Sequence, residues 1–192
     1  MINPYIKRFI DSFTSECVIA LFNRYKNASK EITESWGCFQ AALDNIENVS
    51  SHKVIVIGDG ASPRTGSIFS YFSKADVVSV DPAINIDHWN EHKERQHRIG
   101  NPIQRLEVIK DKVENVIFNC DNIGVIVVWP HSHANMNNIQ MINHGTVHHI
   151  AMPCCVKIPP SFANVKHIAY VDENVLSPHN KIYIWKNYEH AK

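Results

Sequence analysis

Residues 54–82, VIVIGDGASPRTGSIFSYFSKADVVSVDP, constrain the fold more than any other stretch of the chain. Val54-Ile55-Val56-Ile57 is a run of four β-branched residues. It predicts a strand covered on both faces, because a strand with one wet face alternates apolar and polar instead. Gly58-Asp59-Gly60-Ala61 follows, and its two glycines allow a sharp turn and a close approach of backbone to a ligand. Ser62 as N-cap and Pro63 at the first helical position then predict a helix running to about Lys74, with Ile68, Phe69 and Phe72 against the sheet. A second strand over 77–80 ends on Asp81. The unit is strand, glycine turn, helix, strand, acid. A helix N-terminus facing a ligand's polar end, with an acid within reach of ribose hydroxyls, suits a nucleotide-like ligand.

The dinucleotide fingerprint G-x-G-x-x-G is not met, since Pro63 stands where the third glycine belongs, and no Lys follows Gly66 as a phosphate-binding loop requires. The acid nevertheless falls 21 residues after Gly60, against an expected spacing of about 20. What remains resembles the class I S-adenosylmethionine-dependent methyltransferases, whose first motif is a hydrophobic strand, a glycine-rich turn and an acid ending strand two. The resemblance spans 54–185 in the order of its elements, although GDGASPRTG departs from the usual alternating glycines. It implies an α/β, Rossmann-like three-layer sandwich with a mostly parallel sheet, N-terminal helices and a C-terminal antiparallel hairpin. It also implies S-adenosylmethionine as cofactor. Its contacts then fall on Gly58, Asp59, Gly60 and Ser62 in the first turn, on Asp81, on Asp111 after strand three, and on Trp129 ending strand four.

At 192 residues, one domain is expected, with 1–50 as a helical extension and 54–185 as the core. Lys+Arg and Asp+Glu balance at 19 each and the pI is about 7.2. A broad nucleic-acid footprint would need a pI above roughly 9, which leaves a small-molecule or a locally bound nucleic-acid substrate open. Five cysteines give no paired framework, so a reducing, cytoplasmic setting is expected. No apolar run approaches the roughly 18 residues of a membrane span.

Along the chain, Tyr5, Ile6, Phe9, Ile10 and Phe13 predict an N-terminal helix, continued by Val18, Leu21 and Phe22. Trp36, Phe39, Leu43 and Ile46 predict a second. The polar stretch 85–104 carries His88 and His92 on one helix face and reads as a solvated helix, closed by the turn Gly100-Asn101-Pro102. Leu106-Glu107-Val108-Ile109 is the third strand. A short amphipathic helix is expected over 113–119, the fourth strand over 124–129, and a helix bearing Met136, Ile139, Met141 and Ile142 beyond it. Val147–Met152 is the fifth strand, and 168–171 with 181–185 form the closing hairpin.

Five of the 12 histidines fall between His131 and His149. In an open parallel sheet, ligands collect outside the carboxyl ends of the strands. Strands four and five should bring Trp129-Pro130-His131-Ser132-His133 beside Pro153-Cys154-Cys155 there. His131 and His133 are the candidate catalytic pair, placed to take a proton as a methyl group transfers. Alternation puts both on one side, and means that only one of Cys154 and Cys155 need point at the site. Packing, or zinc ligation by these residue types, are the other readings. Family enzymes that methylate base amino groups carry Asn/Asp-Pro-Pro-aromatic after strand four; Trp129-Pro130-His131-Ser132 departs from it and argues against that substrate. Two further functions stay open. One is a zinc-dependent hydrolase using His131, His133 and Cys154 or Cys155; the other is a non-catalytic nucleotide-binding module.

Overall fold

The computed structural model describes residues 2–12, 16–22, 26–98 and 103–188. Phe13, the side chain of Val18 and the turn expected at Gly100-Asn101-Pro102 lie outside the described residues. The elements in chain order are α1 (Pro4–Asp11), α2 (Glu16–Phe22), α3 (Ala28–Asn45), β1 (Lys53–Ile57), α4 (Arg64–Ser73), β2 (Asp76–Val80), α5 (Ile86–Arg98) and β3 (Leu106–Ile109). They continue with β4 (Ile117–Asn119), β5 (Val125–Pro130), β6 (Gln140–Ile142), β7 (Val147–Met152), α6 (Pro160–Ala163), β8 (Ile168–Val171) and β9 (Lys181–Trp185).

The main sheet has the order β3-β2-β1-β5-β7-β9-β8. Every neighbouring pair is parallel except β7 with β9 and β9 with β8, so β9 alone runs against the rest. This is the Rossmann-like sheet expected from the sequence, with the antiparallel pair closing it. The central strands are those that read as unbroken β-branched runs: Val54, Ile55 and Val56 of β1 and Val125 through Val128 of β5 are fully buried.

Alternate side chains of these strands enter two different cores. Val54, Val56, Ile126 and Val128 pack beneath Phe9, Phe22, Trp36, Phe39 and Phe69. Trp36 and Phe39 make edge-to-face contacts with Phe72 and Phe69 at 4.9 and 5.2 Å, an arrangement aromatic quadrupoles favour. The N-terminal stripes are therefore core, although Ile10 and Leu43, read as part of them, are exposed. On the opposite face Ile55, Ile57, Val125, Val127 and Trp129 pack with Val113, Phe118, Met136, Ile139 and Phe162.

That second layer is not built as expected. In place of the helix over 113–119 there is a single 3-10 turn, Val113–Asn115, and the short strand β4. In place of the helix bearing Met136 to Ile142 there is another 3-10 turn, Met136–Asn138, and β6. β4 and β6 pair in parallel, Ile117 opposite Gln140 and Asn119 opposite Ile142. Pairing between distant segments overrides local spacing here, and Asn135, Asn137 and Asn138 favour turns over helix interior. The helix α5 is not solvated all round either: His92 is buried and stacked on Trp89 with ring centroids 5.7 Å apart.

Among the described residues no helix is long and apolar enough to cross a membrane.

Candidate functional site

The chain runs outward from β1 to β2 to β3, then returns across the sheet to β5 on the other side of β1. Strand order thus reverses between β1 and β5, and the crevice outside their carboxyl ends is where such sheets bind ligands. The loop after β1 and the loop after β5 meet there in close contact. Gly58, at φ +84°, lies against Ser132, and a Cβ on it would come within 2.6 Å of Ser132 Oγ and 2.8 Å of Ser132 Cα. Gly60 also takes a positive φ, +77°, but a Cβ there would meet only Arg64 at 3.4 Å. Both positions favour glycine for their backbone; only Gly58 also requires it for space.

The two acids of this first turn take different roles. Asp81 lies at the tip of β2, where one carboxylate oxygen accepts from Gly60 N at 2.9 Å and the other from Ala83 N at 2.7 Å. It thereby ties the glycine loop to the strand and still borders the cavity. Asp59 is turned inward and buried. Its carboxylate accepts from Thr65 N and Gly66 N at 2.9 Å and from Ser79 Oγ at 3.0 Å. Burial pushes its carboxyl up, against the opposing pull of Gly66, Arg64, Thr65 and Ser79. Asp59 thus does the capping expected of Ser62. The helix starts two residues after Ser62, at Arg64, with Pro63 at the cap position and no side-chain cap bond from it. Ser62 is buried, and its carbonyl accepts from Arg64 N at 2.8 Å.

A cavity of about 490 Å³ opens beyond β1, β2 and β3, walled by Ile57, Val80 and Val113 and edged by Asp81, Asp111, His131 and His133. Ligand pockets commonly span about 300–1,000 Å³. Asp111 keeps its place at this edge. Its Oδ1 accepts from Asn115 and from Lys112 N, which hold its carboxyl below the usual range and brace the turn that follows. A second, more polar cleft of about 290 Å³ lies on the other side of Gly58, between α3 and the loops after β5 and β7. Lys30, Glu34, Arg64, Ser177 and His179 line it, and it shares Gly58, His131 and His133 with the first. Trp129 borders neither; it faces a third cavity of about 250 Å³ with Met136 and Ala151, and its indole N–H donates to His149 Nδ1 at 3.2 Å. Trp129 is thus part of the far core rather than of the crevice.

His131 and His133 do not follow the alternation expected of an extended segment. His131 has left-handed backbone, φ +52°, which swings the two residues apart. His131 Nε2 lies 2.7 Å from Glu34 Oε1, and Lys30 Nζ reaches the same oxygen at 3.2 Å. Burial alone would raise the Glu34 carboxyl, but His131, Ser177 and Lys30 outweigh it and hold it below its ordinary value. His133 instead meets both cysteines, Cys154 Sγ at 3.4 Å and Cys155 Sγ at 3.2 Å. Of the two cysteines Cys154 lines the polar cleft, in keeping with the expectation that only one need face the site; both sulfurs nonetheless reach His133, because β7 ends at Met152. Pro153 and both cysteines lie beyond the pleat, where alternation no longer applies.

Glu34 was missed in the sequence. Its signal is an acid flanked by Thr33 and Ser35 inside an apolar helix, all three buried; Ser35 Oγ lies 3.0 Å from Thr65 Oγ1 at the first turn of α4.

Neither a family model nor a characterised relative matches this chain by sequence. Among solved structures it is similar in fold to MtNAS, in a point mutant bound to S-adenosylmethionine, with a TM-score of 0.49 and 13% identity over 89% of this chain and 70% of that one. MtNAS with MTA and tNA gives a TM-score of 0.45 and 15% identity over 89% and 69%. A Corynebacterium glutamicum protein gives 0.45 and 11% over 98% of both chains. Likenesses of this size carry no functional argument, and the fold assignment rests on the strand order and register described above.

Proposed function

We propose that the protein is an S-adenosylmethionine-dependent methyltransferase acting on a small-molecule or nucleic-acid substrate in the cytoplasm. One observation carries this reading: two cavities of different character meet at Gly58 and His131, at the point where strand order reverses. The larger has apolar walls for a purine and acids at Asp81 and Asp111 for ribose hydroxyls and an exocyclic amine. The smaller holds Lys30 and Arg64 beside Glu31 and Glu34, matching the amino and carboxylate groups of a methionine end. Gly58 and His131 line both. The cytoplasmic placement rests on the free state of Cys38, Cys120, Cys154 and Cys155.

Bound there, the cofactor supplies a methyl group already activated on a sulfonium, so the chain need only align an acceptor, exclude water and take up a proton. His131 stands at the junction of the two cavities with Glu34 fixing its ring, the placement for receiving that proton. His133 also lines both cavities.

Calorimetric titration with S-adenosylhomocysteine tests the reading without a known acceptor. Asp81→Ala should weaken binding by about 1.5–3 kcal/mol, the range for hydrogen bonds to a charged group. Absence of binding by the parent protein would overturn the assignment, and unchanged affinity in folded Asp81→Ala would remove Asp81 from the site.

A further inference from the structure

We propose that His133, Cys154 and Cys155 form a binding site for one zinc-class metal ion, with three protein ligands and an open fourth position. Among the described residues these three hold their ligand atoms within 4.8 Å of one another. His133 Nε2 stands 3.4 Å from Cys154 Sγ and 3.2 Å from Cys155 Sγ, and the sulfurs are 3.4 Å apart. A tetrahedral ion with Zn–S of about 2.3 Å and Zn–N of about 2.0–2.1 Å needs ligand separations of about 3.8 Å between sulfurs and about 3.6 Å between sulfur and nitrogen. All three separations fall short by only about 0.2–0.4 Å of these values. Side-chain rotation at an exposed rim closes such a gap without moving backbone.

The triad draws on the loops that leave two adjacent strands rather than on one loop. His133 follows β5 and the cysteines follow β7, adjacent strands in register up to Pro130 opposite Met152. Two thiolates and an imidazole select a soft or borderline ion over magnesium or calcium. Three such ligands are the number found in sites that keep a water or substrate in the fourth place. His131 is not a ligand, since it is engaged by Glu34. The competing state is a disulfide between the two cysteines. Adjacent Cα atoms across a trans peptide lie about 3.8 Å apart, whereas disulfides usually bridge about 4.4–6.8 Å. Free thiols are therefore the relaxed form of this adjacent pair. His133 and Cys154 both border the polar cleft, which puts the open position at its edge. This assignment goes beyond the methyl-transfer reading and does not rest on it.

Untagged, reduced protein loaded with zinc(II) and dialysed should retain one ion per chain by elemental mass spectrometry. Cadmium(II) should raise a sulfur-to-metal charge-transfer absorbance that saturates at one equivalent. His133→Ala, Cys154→Ser and Cys155→Ser should each lower affinity by more than the roughly 10–100-fold typical of outer-shell changes, while His144→Ala leaves it unaltered. The cobalt(II) form should show tetrahedral thiolate bands that shift on adding a small thiol. No retained ion, parent affinity in Cys155→Ser, or a Cys154–Cys155 disulfide in freshly prepared protein would overturn the site; cobalt bands indifferent to the thiol would overturn its open position. S-adenosylhomocysteine affinity measured on Cys155→Ser is a separate readout, so loss of metal with cofactor binding retained distinguishes this inference from the preceding one.

Discussion

Replacing Gly58 by alanine tests whether the rim after β5 sits directly on the glycine turn, the contact that shapes the crevice. Two costs combine. A non-glycine residue at φ +84° incurs about 1–2 kcal/mol of left-handed backbone strain. The new Cβ would also lie 2.6, 2.7 and 2.8 Å from Ser132 Oγ, Cβ and Cα, and overpacking of this kind costs about 1–3 kcal/mol. The expected loss is therefore about 2–5 kcal/mol, read as a lower urea midpoint at unchanged slope. Ser132→Gly removes two of the three clashing atoms but leaves Cα, so it should rescue Gly58→Ala only in part. A double-mutant cycle should show coupling of about 1 kcal/mol or more, within the range for residues in contact. Gly60→Ala, whose Cβ would meet only the Arg64 side chain at 3.4 Å, an ordinary van der Waals contact, should lose only the backbone component. A Gly58→Ala cost under about 1 kcal/mol, or strict additivity with Ser132→Gly, would refute the close apposition of the two loops.

Asp59→Ala should destabilise by about 3 kcal/mol or more, since it leaves two buried N–H groups and the Ser79 hydroxyl without their acceptor at about 1–3 kcal/mol each; a loss near zero would free Asp59 for a ligand role. His92, lowered to about 4 by burial with help from His88 and Arg95, should make the protein less stable on acidification. The unfolded chain takes up that proton near pH 6.5 while the folded one resists until about pH 4, so stability should fall across that window, and His92→Phe should flatten the fall in urea midpoints measured against pH. Glu34 shifts stability in the same direction at lower pH: its carboxyl is held low, so its contribution is present above about pH 4.3 and lost as pH drops further, and the stability gap between parent and Glu34→Gln should narrow in acid.

The sequence by itself determined the sheet and the first turn. Strands buried on both faces are apolar along their length, and β1 and β5 therefore announce themselves; β7, which buries His148 and His149, and both hairpin strands have the expected bounds. Gly58, Gly60 and Asp81 were legible for the same reason, because a sharp turn and a strand-end acid are local requirements. The second layer was not legible. Met136, Ile139 and Met141 carry a spacing compatible with a helix, and only the pairing of β6 with β4, more than twenty residues away, made that segment a strand. The chemistry of the rim was decided at the same level. Residue types and their place at the strand ends were visible, but the left-handed turn at His131 and the end of the pleat at Met152 set where each side chain goes. Those two backbone features send one histidine to a buried glutamate on α3 and the other to a pair of sulfurs. Side-chain direction outside regular structure depends on packing between segments distant in sequence, and no local pattern encodes it.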